Sequence, residues 1–191
     1  MTRKSLGLDY LDHVFNAERS IFRLEQQPIY AADLDPRYWP DYEAWLRQSP
    51  RHVDETDAVW GDWIIRTRQL ADRGIPLARL RVMDDPPTDY QRWSAFTAMH
   101  LNNPNGEDIR YLARGAAAEV GISTDDGDWW LIDGSSVLLM HFGTDGLLHE
   151  VQFEDRHGTV QRARDVQDRS RKASVSPEVV LRSWIGGRGG E

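Results

Sequence analysis

The 191-residue sequence has no cysteine. That one absence excludes disulfides, thiolate zinc sites, iron–sulfur ligation and a cysteine nucleophile. It also fits a reducing compartment. Long apolar runs are missing too: no stretch approaches the roughly 20 residues a membrane span needs, and no apolar segment follows the basic start Met1-Thr2-Arg3-Lys4. A cytoplasmic protein that makes no membrane contact is expected.

Several motifs are lacking. No Gly-x-Gly-x-x-Gly follows a strand pattern, which removes support for a dinucleotide site. The Gly-rich terminus carries no Lys-Ser or Lys-Thr pair, so it is no P-loop. There is no Gly-x-Ser-x-Gly elbow. The six histidines (13, 52, 100, 141, 149 and 157) show no i, i+4 pair, and no EF-hand loop is present. No metal site and no cofactor are expected.

Acidic residues outnumber basic ones, 31 to 23, for a net charge of −8. A chain of that sign repels phosphate backbones, and no nucleic-acid partner is expected. The charge is uneven. Residues 31–63 hold eight acids and three arginines, whereas residues 156–172 hold six bases and two acids. The basic stretch reads as a solvated helix face. Eight tryptophans are many for this length. They suit a core, a recognition surface, or both, because the indole joins a large apolar area to one polar handle.

Periodicity supplies the elements. A helix from residue 8 leads into a strand at 20–25; residues 31–40 read as a loop and 40–48 as a short helix. The strongest helical stripe is Trp60, Trp63, Ile64, Thr67, Leu70 and Ala71, predicting a helix over 57–73 closed by Gly74. Residues 77–83 alternate, with Arg79 and Arg81 on one side of a strand and Leu80 and Val82 on the other. Thr88 can cap a helix running to about 100. A strand at 108–113, a helical turn at 115–120, and a meander at 129–133, 136–142 and 147–153 follow, then a polar helix at 159–172. Residues 186–191 have nothing to bury and read as mobile. The order implies an α+β fold: an antiparallel β-sheet or meander packed with several helices in a single domain over 1–155, then a basic helix and Gly-rich tail over 156–191.

The blocks Phe22-Arg23-Leu24-Glu25, Arg79-Leu80-Arg81-Val82, Asp85-Pro86 with Asp89-Tyr90 and Trp93, Gly106-Glu107-Asp108-Ile109-Arg110-Tyr111-Leu112, Trp130-Leu131-Ile132-Asp133 and Met140-His141-Phe142 recur in this order in a known family. Over roughly residues 15–155 the chain resembles DUF6879, a domain of unknown function found mostly in actinobacteria. Asp85 departs from the family's usual Glu, and residues 31–57 match poorly. The resemblance implies no activity. It places the chain beside products of genes near helix-turn-helix regulators and natural-product genes.

Those blocks are rich in charge, and unpaired buried charge is costly. Two arrangements follow. One is an internal ion-pair lattice, such as Arg81 with Asp85 and Arg110 with Glu25. The other is a cleft that takes a polar small molecule. There Arg81 and Arg110 would hold an anionic group by forked hydrogen bonds, with Asp85 among the other binding residues. Glu25, Glu107 or Asp108 would accept a proton or grip an ammonium, and Tyr90 would donate a hydrogen bond. Trp93 and Trp130 would wall the site, and His141 would stand on the Val137–Leu139 side of its strand. Such a cleft suits carboxylate-assisted cyclisation, elimination or transfer on an amine that bears an anionic group. The rival reading is a non-catalytic module docking on a small protein partner, a helix-turn-helix regulator or other subunit, through Tyr38, Trp39, Tyr42 and Trp45 in a hetero-oligomer.

Overall fold

The computed structural model describes residues 4–5 and 10–185; the expected Gly-rich tail lies outside them. In chain order the elements are β1 (Lys4–Ser5), α1 (Tyr10–Phe15), β2 (Ile21–Glu25), α2 (Trp39–Leu46), α3 (Gly61–Asp72), β3 (Leu77–Met83) and α4 (Asp89–Thr97). Then come β4 (Glu107–Ala113), β5 (Asp128–Ile132), β6 (Ser136–Phe142), β7 (Leu148–Glu154), α5 (His157–Ala173) and α6 (Pro177–Ile185). Short 3-10 turns replace the expected loop, at Ala31–Leu34 and Pro36–Tyr38.

The fold is α+β, and its sheet runs β1-β7-β6-β5-β2-β3-β4. From β1 to β2 every pairing is antiparallel, and β5, β6 and β7 within it form the expected meander. Between β2, β3 and β4 the pairing is parallel, which the sequence reading did not anticipate. The reason is the crossovers: α2 and α3 separate β2 from β3, and α4 separates β3 from β4, so each strand re-enters the sheet from the same end.

Local chemistry sets several boundaries. The Asp57 carboxylate accepts from the Val59 and Trp60 backbone N–H groups, so a capped turn precedes α3, which begins at Gly61 rather than 57. A β-carbon at Gly61 would stand 2.4 Å from the Glu55 carbonyl oxygen; only glycine fits there. Thr88 and Gln91 form a reciprocal capping box at the start of α4. The helix then widens into a π turn at Ala98–Asn102.

Strand alternation divides the sheet into two faces. One carries Phe22, Leu24, Leu80, Val82, Leu112, Trp129, Leu131 and Val137, and α5 covers it with Val160, Ala163 and Val166. These three valine and alanine positions repeat every three residues, so the basic helix has one apolar stripe and an otherwise solvated circumference. The opposite face carries Ile21, Leu77, Trp130, Ile132, Leu138 and Met140 beneath α1 and α3. A third cluster joins α2, α4 and α6 through Trp45, Trp93, Phe96, Ile109, Tyr111 and Val180. Both uses open to tryptophan occur: Trp45, Trp93, Trp129 and Trp130 are buried, whereas Trp39 is exposed. The second face also carries charge, between the last two clusters.

Candidate functional site

In the parallel register Arg23 lies beside Arg79, and Glu25 beside Arg81. Alternation therefore sends all four side chains to one face of the sheet. The Glu25 carboxylate sits among three guanidinium groups. Its Oε1 is 3.0 Å from Arg23 and accepts from Arg79 at 3.1 Å; its Oε2 accepts from Arg81 Nε at 2.6 Å. Glu107, opening β4, extends the row. Its Oε1 accepts from Arg79 Nε and Nη2 at 2.9 and 2.5 Å, and its Oε2 accepts from Trp63 Nε1 and Asn102 Nδ2 at 3.2 and 3.1 Å. Arg81 also donates to the Ser94 hydroxyl on α4.

Aromatic rings brace each arginine. The Arg23 guanidinium stands 4.8 Å from the Trp130 ring centre, Arg79 stands 5.5 Å from Trp63, and Arg81 stands 5.4 Å from Tyr30. Stacking of this kind holds a planar cation without consuming its N–H donors. Above this row is an open cavity of about 290 Å³, whose wall includes Arg23, Glu25, Arg79, Arg81, Trp93 and Trp63. Residues from the 31–60 segment complete its roof: Ala32, Asp33, Tyr38 and Trp60. That segment is pinned by Arg51, which bridges Asp41 and Asp57 at 2.5 and 2.6 Å, and by Trp60 Nε1 donating to Asp41 at 2.7 Å.

The environment fixes several charge states. Burial alone would push the Glu25 carboxyl up, but the charges of Arg23, Arg79 and Arg81 outweigh it and hold the group well below the usual carboxylate range. Burial pushes the Tyr90 phenol above its ordinary value, against the opposing pull of Arg81. It does the same to Tyr30, whose hydroxyl donates to Asp128 at 2.5 Å. Asp128 is itself raised by burial, against the nearby Arg23 charge and the Tyr30 hydroxyl. At neutral pH Glu25 is therefore an anion, and both phenols keep their protons.

The expected site residues divide into three groups. Glu25, Arg81 and Trp93 line the cavity. Glu107, Tyr90 and Trp130 stand directly behind its wall: Glu107 grips Arg79, Tyr90 donates to Asp33 at 2.5 Å, and Trp130 supports Arg23. The other four are elsewhere. Asp108 and Arg110 alternate to the opposite face, where they border a second cavity of about 160 Å³ next to α5, and Arg110 donates to Ser174 rather than to Glu25. Asp85 is exposed on the loop before α4, and Arg81 pairs with Glu25 instead of with it. His141 stands on the Val137–Leu139 side of β6, as alternation predicts, but at the end of the strand, where burial falls from Val137 through the half-buried Leu139 to an exposed imidazole.

Arg23 and Arg79 were missed as site residues. The signal was present in the two-residue spacing of Arg23 with Glu25 and of Arg79 with Arg81, but the parallel pairing that sums the two patterns is not a local property. Of the aromatic roof, Tyr38 was assigned to a docking surface and Trp60 to the apolar stripe of a helix. Trp45, assigned to that surface, is in fact buried.

Among the described residues no group of three or more His, Cys, Asp or Glu side chains could hold a metal ion, and no helix is long and apolar enough to cross a membrane. No curated protein matches the chain. Residues 9–178 match the family described as Domain of unknown function (DUF6879), which takes in all of the strands and helices that build the cavity, and the chain belongs to that family.

Proposed function

We propose that the chain binds a polar small molecule in the cavity above β2 and β3. The observation that supports this reading is an open space of about 290 Å³ resting on a buried row of charges. A lattice whose only task is to hold the sheet together is better closed, since each charge left near an opening forgoes part of its attraction to water screening. The volume lies near the lower bound of small-molecule pockets, roughly 300–1,000 Å³.

Holding a guest is better supported than proton transfer. A general base works best with a proton affinity matched to the operating pH. Glu25, clasped by three arginines, is held far below that range, and Tyr90 far above it. Carboxylate-assisted cyclisation or elimination would need a freer base than Glu25.

The test is a fragment set with anionic, cationic and neutral members, followed by ligand-observed NMR. Ala32 lines the mouth and is exposed, so Ala32→Trp plugs the entrance with little effect on folding. Fragments that bind the wild type and are displaced in Ala32→Trp support the reading. A set with no Ala32→Trp-sensitive binder refutes it.

A second reading, docking on a small protein subunit, is favoured by one observation. Trp39, Tyr42 and Leu46 follow one another at three and four residues along α2, and all are exposed, Trp39 by 61% and Leu46 by 59%. A partner with a complementary apolar groove would cover that stripe. A defined complex that survives gel filtration and is lost in Trp39→Ser with Leu46→Ser would support it; a complex indifferent to both changes would not.

A further inference from the structure

We infer that the guest is a small aromatic monocarboxylate: a flat ring bearing one anionic group, seated with its oxygens on the arginine row and its ring under the aromatic roof. This rests on the cavity being a binding site, and it names the chemistry that site selects.

The argument starts from a count of acceptors and donors. Every oxygen of the two buried carboxylates is engaged. Glu25 Oε1 serves Arg23 and Arg79, and Oε2 serves Arg81. Glu107 Oε1 takes two bonds from Arg79, and Oε2 takes one each from Trp63 and Asn102. Asp33, at the rim, accepts from Tyr90. An ammonium entering the cavity would meet the three guanidinium groups that already crowd Glu25 and Glu107.

Donors, by contrast, are in surplus. Three guanidinium groups bring five N–H donors each. Arg23 Nε is buried and has no hydrogen-bond partner among the described residues. The same is true of Trp93 Nε1, in a cavity-lining residue that is only 6% exposed. A buried N–H without a partner is unfavourable, so a guest whose oxygens draw these two groups toward the cavity is stabilised by satisfying them. The three guanidinium groups face Glu25 and Glu107 on the sheet and Asp33 at the rim, so the site is close to charge-balanced and takes a monoanion better than a dianion. The remaining wall, Tyr38, Trp60, Trp63 and Trp93, offers faces and edges to a ring. The volume limits the guest to about one ring system with a short arm.

The experiment is isothermal titration of the full chain with four probes: phenylacetate, acetate, benzyl alcohol and 2-phenylethylamine. Phenylacetate is expected to bind, acetate and benzyl alcohol to bind at least tenfold more weakly, and the amine to give no measurable binding. Trp93→Phe keeps the ring and removes the N–H; it should weaken phenylacetate several-fold with the melting temperature little changed. Arg23→Lys keeps the charge and loses the fork, and should weaken it at least tenfold. If Arg23→Lys fails to fold, Trp93→Phe alone decides.

The assignment is overturned if the amine binds as tightly as phenylacetate, if phenylacetate does not bind at millimolar concentration, or if neither substitution changes its affinity. The two readings fail differently. Cationic or neutral fragments sensitive to Ala32→Trp would leave the cavity a binding site and sink the carboxylate; an absence of any such fragment would sink both.

Discussion

Glu25→Gln isolates the charge on which the sheet's buried row depends. The substitution keeps the shape and removes the anion that lies 3.0, 3.1 and 2.6 Å from Arg23, Arg79 and Arg81. At an effective dielectric near 20, a charge pair about 4 Å apart contributes roughly 4 kcal/mol of gross attraction. Much of the threefold sum is offset by the several kcal/mol that dehydrating each ion costs. The residue left is the penalty of stranding guanidinium groups in a buried place, about 3–5 kcal/mol when one partner of such a pair is deleted. For a chain of this size that lowers the melting temperature by roughly 6–20 °C, at about 2–4 °C per kcal/mol.

The pH dependence has a definite sign. The folded Glu25 carboxyl is held below its unfolded value, about 4.3. Its contribution is therefore complete above that value and is lost as pH falls toward the depressed folded one. Urea unfolding of wild type and Glu25→Gln, followed by far-ultraviolet circular dichroism, should show the full difference at pH 7 and a shrinking one from pH 5 downward. A difference under 1 kcal/mol at pH 7, or one that stays constant through acid, would mean the row is hydrated and the reasoning is wrong.

Three further outcomes are expected. Arg51→Met removes the clasp on Asp41 and Asp57; since Arg51 is 28% exposed, the cost should be modest, about 1–2 kcal/mol, with faster amide exchange confined largely to residues 31–60. Asp133 holds a left-handed backbone (φ 54°) and accepts from the Glu18, Arg19 and Ser20 N–H groups. Burial pushes its carboxyl up, but those three donors hold it below the usual range. Asp133→Asn should cost about 1 kcal/mol at pH 7, and thermal melts should show the deficit shrinking as pH falls from the unfolded carboxyl's value, about 3.9, toward the depressed folded one. Asp108→Asn and His141→Ala, both remote from the cavity, should leave the affinity of any Ala32→Trp-sensitive ligand within twofold by titration; a larger change would relocate the site.

Much of the architecture can be read locally. Arg79 and Arg81 share a strand side because of the two-residue β period, and the Leu77–Met83 and Ser136–Phe142 strands fall where alternation puts them. Thr88 caps α4 by a bond reaching only three residues. Two helical features were less visible. The widened turn at Ala98–Asn102 extends α4 through a tertiary fit, and α6 is recognised chiefly by packing Val180 and Leu181 against α2 and α4.

The site was legible in kind but not in membership. Residue chemistry alone established a charged, aromatic-rich domain without thiol chemistry, because hydropathy, alternation and side-chain charge are properties of neighbours along the chain; the blocks that carry the family resemblance nominated Glu25, Glu107, Arg81 and Trp93. Tertiary structure decided the rest. The parallel register of β2 on β3 brought Arg23 and Arg79, 56 positions apart in sequence, side by side. The same pleat turned Asp108 and Arg110 to the other face, beside α5. A strand's sequence says which residues share a side; only the pairing of strands and the helices laid across them say which side is covered, which is open, and which charges meet there.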